Sequence, residues 1–158
     1  ALSEEYTVEF FLSSRVRPEA LREVYYAFDR ADLLPESTPA LETLYQMLTD
    51  NPEVKIRLTA HTDRRGTASY NARLSQQRAE SVVRYIIGRG IAPERLEAMG
   101  RGSDEPYTVT KRTAAVHPFL AVGTVLTPDF IASLSSPEEQ AVCDQLNRRT
   151  AFEVRATP

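Results

Sequence analysis

The feature that most constrains this fold is a short apolar strand pattern followed directly by a long amphipathic helix pattern. Residues 54–60 place an apolar side chain at every second position, which is the period of a strand with one buried face. After a turn at 64–67, a helix is predicted from about Ala68 to Gly88, with a second helix over about 38–50. The apolar residues on one side of the long helix are Ala72, Ala79, Val82, Val83 and Ile86. A helix and a strand that each have one apolar face bury these faces against each other, so the pattern predicts helices packed on a sheet.

Further strands are predicted at 6–12, 21–28, 96–99 and 150–156, with Val24, Tyr26 and Phe28 sharing one face of the second. Two short helices are predicted to begin at Thr127-Pro128 and Ser136-Pro137. Their expected buried residues are Phe130, Ile131, Leu134, Val142 and Leu146. The predicted class is α/β (α+β): a two-layer sandwich of helices on a mixed β-sheet, with a helical insertion before the last strand.

Composition narrows the function classes. The 158 residues suit one domain, and 42% hydrophobic with 26% charged residues is typical of a globular protein. No apolar run approaches the ~20 residues of a membrane helix, so we expect no membrane insertion by this chain. A net charge of −3 argues against nucleic-acid binding. The chain starts at Ala1 without a leader pattern, so we expect a processed protein or a domain of a longer one.

Positive charge is concentrated in one segment of this acidic chain. Between Arg57 and Arg101 nine arginines stand against four acidic residues, and the only lysines of the whole chain are Lys55 and Lys111. Arginine suits bidentate capture of carboxylate or phosphate, although basic helix surfaces are common. An arginine of this segment is therefore a candidate binding residue where it lies near other polar residues that a helix or strand surface does not need.

The densest group of such residues lies where the strand over 54–60 meets the long helix. Asp63 follows the strand, Arg65 and Thr67 lie in the turn, and Asn71, Leu74 and Arg78 follow one shoulder of the helix. An acid facing an arginine across this corner suits a zwitterionic ligand, because the carboxylate binds an ammonium and the guanidinium binds a carboxylate. A structural Asp63–Arg78 salt bridge fits the same spacing, so both interpretations stay open.

Residues 60–79, AHTDRRGTASYNARLSQQRA, closely resemble the central motif of OmpA-like peptidoglycan-binding domains, G/A-H-T/A-D-x-x-G-x-x-x-Y-N-x-x-L-S-x-x-R-A. Shorter resemblances follow in family order over about residues 21–156. They are Tyr26-Ala27-Phe28-Asp29, Gly90 to Arg95, Gly100-Arg101-Gly102 with Pro106, and Asn147-Arg148-Arg149.

The resemblance implies a non-catalytic periplasmic domain that holds the outer membrane of a diderm bacterium, or an envelope complex, to the cell wall. Its implied ligand is the meso-diaminopimelate of the peptidoglycan stem peptide, with other envelope proteins as further partners and no cofactor. Asp63 and Arg78 fall on the two principal ligand positions of the family. With the residues of the strand–helix corner, the predicted ligand-binding set is Asp63, Arg78, Arg65, Leu74, Phe28, Asp29, Thr67, Asn71 and Arg148.

Two departures from the family pattern define the predicted domain organisation. Residues 1–20 form an N-terminal extension with a strand, and the OmpA-like domain over 21–158 carries an insertion at 107–146. Because the motif residues lie outside the insertion, we expect it to be peripheral and dispensable for ligand capture. An alternative function is an assembly module, in which a partner protein occupies the groove between Arg65 and Arg78.

A metal or catalytic site is a weaker interpretation. His61 and Asp63 share strand parity, but the only other histidine is His117, and zinc sites need three or four ligands. Cys143 lies in an apolar helical stretch, which indicates a buried side chain and not a nucleophile. We therefore predict no metal and no enzymatic activity.

Overall fold

The computed structural model describes residues 19–21 and 24–156, in which helices pack on a four-stranded mixed sheet. The strands are β1 (Glu19–Leu21), β2 (Lys55–His61), β3 (Leu96–Gly102) and β4 (Arg149–Ala156), in the spatial order β1-β4-β2-β3. β2 is parallel to β3 and antiparallel to β4, and β1 is antiparallel to β4. The helices are α1 (Thr38–Asp50), α2 (Ala68–Gly88), α3 (Lys111–Val116), α4 (Pro128–Ser133) and α5 (Pro137–Asn147). The predicted fold class is confirmed.

The main core lies between the sheet and the helices α1 and α2. Its fully buried residues include Leu41, Leu48, Ile56, Leu58, Val82 and Ile86. β3 approaches α2 so closely that a Cβ at Gly100 would lie 2.2 Å from the backbone nitrogen of Gln76. The side chain of Gln76 accepts a hydrogen bond from the Gly100 N–H at 2.8 Å. Only glycine fits at this crossing, which fixes the position of α2, and with it the proposed site, on the sheet.

The segment 107–146 has an apolar cluster of its own. Its buried residues are Val109, Leu120, Leu126, Ile131 and Cys143, and they are separate from the main core. Thr110, Thr127 and Ser136 cap the three helices of this segment with their side chains. Asn147 closes its base, because its side chain accepts from the Tyr107 N–H at 2.8 Å and donates to the Leu126 carbonyl at 3.1 Å.

Most predicted elements are confirmed, and one strand is wrong. α1, α2 and β4, as well as the starts of α4 and α5, lie where the sequence predicts them. The predicted strand at 21–28 fails because β1 ends at Leu21 and the chain turns at 28–30, with Asp29 in the left-handed region at φ 58°. Phe28 is consequently 95% exposed, and Tyr26 forms only an isolated bridge to Leu33.

Smaller differences concern the ends and faces of elements. The sequence missed α3, and β3 runs on to Gly102 because the glycines at its end pack against α2. Ala72 is exposed, although it shares the predicted apolar side of α2. The predicted strand at 6–12 lies outside the described residues. Among the helices of the described part, none has the length and apolarity needed to cross a membrane.

Candidate functional site

The site centres on Asp63, which follows β2 and is only 6% exposed. Its carboxylate accepts hydrogen bonds from the Arg65 backbone N–H at 2.9 Å, from Arg65 Nη2 at 2.7 Å and from Arg148 Nη1 at 2.5 Å. Burial raises the pKa of Asp63, but these hydrogen bonds outweigh it and lower the pKa to about 2. Asp63 is therefore an ionised acid held by two guanidinium groups.

The turn that carries Asp63 and Arg65 is fixed by the start of α2. Thr67 caps the helix by accepting from the Tyr70 N–H at 3.2 Å, and buried Asn71 donates to the Arg65 carbonyl at 2.9 Å. Gly66 adopts a φ of 89°, which permits the tight turn. Thr67 and Asn71 thus hold the shape of the turn, while the Arg65 side chain remains 68% exposed.

A second arginine of the turn points to the segment 107–146. Arg64 donates from Nε at 2.9 Å and from Nη2 at 3.3 Å to the two carboxylate oxygens of Asp144 on α5. The Asp144 carbonyl accepts from the Arg148 N–H at 3.2 Å, and Arg148 in turn contacts Asp63. The segment that we expected to be peripheral thus contacts the motif directly through Arg64. The chain folds α5 against the 62–67 turn, and 80 residues of separation hide this contact in the sequence.

Arg78 occupies a different environment on the shoulder of α2. Its Nε donates to the Arg30 carbonyl at 2.8 Å, and its guanidinium lies 4.9 Å from the centre of the Tyr26 ring. Burial is the main cause that lowers its pKa, and the nearby positive charge of Arg148 adds to this effect. Among the described residues, Asp63 forms its ion pairs with Arg65 and Arg148, so the alternative of a structural Asp63–Arg78 salt bridge is wrong.

A cleft of about 320 Å³ lies along α2 on residues that precede Arg78. Its lining includes the predicted residues Asp29 and Leu74 together with Tyr70, whose hydroxyl donates to the Asp29 carboxylate. Phe28 precedes Asp29 in the chain and extends into solvent. Leu74 and Asp29 thus share one cleft, whereas Asp63 and Arg148 belong to the neighbouring carboxylate–arginine cluster.

His61, the last residue of β2, is buried and gives no sign of a metal site. Its Nε2 contacts the Thr59 hydroxyl at 3.2 Å, and burial lowers its pKa to about 3, helped by the charges of Arg149 and Arg101. In the part of the chain that the structure describes, no three His, Cys, Asp or Glu side chains are grouped so as to hold a metal ion.

Several residues of the site were not predicted from the sequence. They are Arg64, Asp144, Tyr26, Arg30 and Tyr70. Tyr26 and Tyr70 belong to the motifs that resemble the family, so the motif match could have indicated them. Arg30 contributes only its backbone carbonyl, which no side-chain pattern can indicate.

Comparison with known proteins decides the family. The OmpA family model matches residues 25–117, which is more than half of the chain. The chain belongs to the OmpA family. The matched stretch contains Asp63 and Arg78 and ends before Asp144 and Arg148.

Relatives within the OmpA family cover only part of each chain. Outer membrane protein A of Shimwellia blattae is 40% identical over 88 residues, which are 54% of this chain and 36% of that protein. Outer membrane protein P5 of Haemophilus influenzae is 34% identical over 86 residues, which are 54% of this chain and 24% of that protein. The match thus spans about a third of the first relative's length and a quarter of the second's.

Solved structures show the same OmpA-family fold at low identity. The peptidoglycan-associated lipoprotein from Burkholderia pseudomallei aligns with a TM-score of 0.56 and 24% identity, over 83% of this chain and 86% of its own. The cell wall anchor of the T6SS from Pseudomonas aeruginosa aligns with a TM-score of 0.57 and 22% identity, over 95% and 94%. The second alignment covers nearly the whole of both chains, so its length includes the region of the segment 107–146.

Proposed function

We propose that this chain binds peptidoglycan non-covalently through the meso-diaminopimelate of the stem peptide. The observation that carries the proposal is that the chain has both a buried, ionised Asp63 and an arginine, Arg78, with no acidic ion-pair partner among the described residues. From its place on α2, Arg78 contacts a carbonyl and a ring instead. In this proposal Asp63 binds the side-chain ammonium of diaminopimelate, and Arg78 binds the carboxylate on the same carbon.

The ammonium enters a site in which Asp63 already accepts hydrogen bonds from four donor groups, which are the backbone N–H, Nε and Nη2 of Arg65 and Nη1 of Arg148. A carboxylate offers about four acceptor positions, so a new donor must replace one already present. Arg65 is the more exposed of the two arginines, and its backbone N–H holds Asp63 independently of its side chain. The ammonium therefore replaces the Arg65 guanidinium, which becomes available to a carboxylate of the ligand.

The net charge around the site favours such a ligand. The three arginines Arg65, Arg148 and Arg78 outnumber the two acids Asp63 and Asp29, while Arg64 is neutralised by Asp144. The excess positive charge attracts an acidic peptide. Stem peptides that carry diaminopimelate and D-glutamate supply several carboxylates and one ammonium.

At the level of the cell, we propose that the chain anchors the outer membrane, or an envelope complex, to the wall from the periplasm of a diderm bacterium. The support is its family and its similarity to an outer membrane protein, a peptidoglycan-associated lipoprotein and a cell wall anchor. The role is one of binding and involves no catalytic step.

Sedimentation with purified sacculi tests this function. The chain should sediment with diaminopimelate-type sacculi, and should stay in solution with the same sacculi after an amidase has removed their stem peptides. Calorimetric titration with the tripeptide L-Ala-γ-D-Glu-meso-diaminopimelate should show saturable binding. If the chain binds neither sacculi nor tripeptide, the assembly-module function replaces wall binding, and a partner protein occupies the groove between Arg65 and Arg78.

A further inference from the structure

The segment 107–146 is joined to the site by a closed ring of four residues. Asp63 and Arg64 are adjacent in the turn, Arg64 pairs with Asp144, Asp144 bonds Arg148 through the backbone, and Arg148 returns to Asp63. Two of these links are ion pairs between the turn and the C-terminal end of α5. The ring therefore relates the position of α5 directly to the carboxylate of Asp63.

Asp144 is buried, and both of its carboxylate oxygens accept hydrogen bonds from the Arg64 guanidinium. A bidentate pair of this kind fixes orientation as well as distance, because a planar guanidinium and a planar carboxylate must align. Asp144 thus anchors the end of α5 to the turn that carries Asp63.

We propose that Asp144 is a positioning residue, which places Arg148 on Asp63 by holding the end of α5 against Arg64. In this proposal the insertion at 107–146 contributes to ligand binding, whereas the sequence predicts that ligand capture does not need it. The inference rests on the proposed function for its ligand, but the placement of Arg148 is a property of the free protein and is measurable without any ligand.

The test compares Asp144→Asn with Asp129→Asn. Asp129 lies in the first turn of α4 and is exposed, so the control makes the same chemical change in the same segment. With the tripeptide L-Ala-γ-D-Glu-meso-diaminopimelate as the probe, Asp144→Asn should bind about tenfold more weakly. Loss of a residue that orients a metal ligand lowers metal affinity by about 10- to 100-fold, and we expect the lower end of that range for this site. Asp129→Asn should bind as the unchanged chain does.

A merely stabilising role for Asp144 predicts a different pattern. If Asp144 acts through Arg148, Asp144→Asn should cause little further loss of binding in an Arg148→Gln background. The same loss in both backgrounds would overturn the inference. Arg64→Gln removes the same ion pair from the exposed turn and should reproduce Asp144→Asn, which keeps the test valid if Asp144→Asn folds poorly.

Carbon-13 NMR titration of the Asp63 carboxyl provides the readout without ligand. Loss of the Arg148 hydrogen bond should raise the pKa of Asp63 in Asp144→Asn and in Arg64→Gln, and leave it unchanged in Asp129→Asn. An Asp63 pKa identical in all these proteins would overturn the inference. If the unchanged chain fails to bind the tripeptide, the proposed function is wrong, and the NMR titration alone decides the positioning role of Asp144.

Discussion

Asp63 and Arg78, the acidic and basic ends of the proposed site, differ in how the fold satisfies them. Asp63 is buried and forms ion pairs with Arg65 and Arg148. These two side chains, from distant parts of the sequence, keep its carboxyl group ionised. Arg78 contacts the Arg30 carbonyl and the Tyr26 ring, and it forms no ion pair with an acid in the part of the chain that the structure describes. The acidic end is thus organised in the free protein, whereas in our proposal the basic end forms its ion pair only with the ligand. The following predictions test this difference, from the largest expected effect to the smallest.

Asp63→Ala should abolish detectable binding of the stem tripeptide, a loss greater than about 100-fold, because it removes the acceptor of the ammonium and leaves Arg65 and Arg148 to repel it. Calorimetric titration measures the loss, and circular dichroism establishes that the variant is folded. Near-normal binding by a folded Asp63→Ala would show that the acidic end only organises the turn.

Arg78 should distinguish diaminopimelate from lysine, which lacks the second carboxylate. A charge-assisted hydrogen bond is worth ~1.5–3 kcal/mol, so a lysine stem peptide should bind roughly tenfold to a hundredfold more weakly. Arg78→Gln should remove this preference by weakening only the diaminopimelate peptide. Arg84→Gln is the matched control, because Arg84 lies on the same helix and contacts Ser81. Equal affinities of the unchanged chain for both peptides would mean that Arg78 does not bind that carboxylate.

The organised acidic end should make stability depend on pH. The pKa of Asp63 is about 2 in the folded chain, against an ordinary value of 3.8. A lowered carboxyl pKa stabilises the fold fully above the unfolded value, and this contribution disappears as the pH falls from about 5 towards 2. After allowance for the exposed Arg65, the contribution is about 1–2 kcal/mol.

Urea unfolding at pH 7, 5 and 3 measures this dependence. Asp63→Asn should lose less stability than the unchanged chain over the same pH range, because its amide does not titrate. Parallel pH profiles of the two proteins would show that the pairing of Asp63 with Arg65 and Arg148 does not stabilise the fold.

Tyr70→Phe should have the smallest effect and concerns the cleft that Tyr70 lines with Leu74 and Asp29. It removes the hydroxyl that donates to Asp29 and retains the ring beside Arg73. Because the hydrogen bond is exposed, its loss should cost about 0.5–1 kcal/mol, or roughly a twofold to fivefold weaker affinity for the tripeptide. Fluorescence or calorimetric titration can detect this difference. A loss as large as that of Arg78→Gln would place the main ligand contacts in the cleft.

Much of the fold around the site was predictable because its signals are local. Thr67 caps α2, the apolar residues of β2 alternate, and Phe152 and Val154 of β4, which also alternate, are buried. The strand predicted at 21–28 failed because aromatic side chains favour a strand without excluding a turn, and the positive φ of Asp29 is a tertiary outcome. Tyr26 has partners from α2 and β4, since its hydroxyl contacts the Arg78 carbonyl and the Thr150 side chain.

The sequence by itself determined the order of the elements around α2, the family, and the adjacency of Asp63 and Arg65. Each of these depends on short-range spacing, which periodicity, capping and motif order express directly. Only the tertiary structure decided the partners of Asp63, the interaction of Arg78 with a carbonyl and a ring, and the pairing of Arg64 with Asp144. Arg64 and Asp144 are 80 residues apart. A charged residue in a sequence is compatible with many partners, and the packing of α5 against the turn selects one of them.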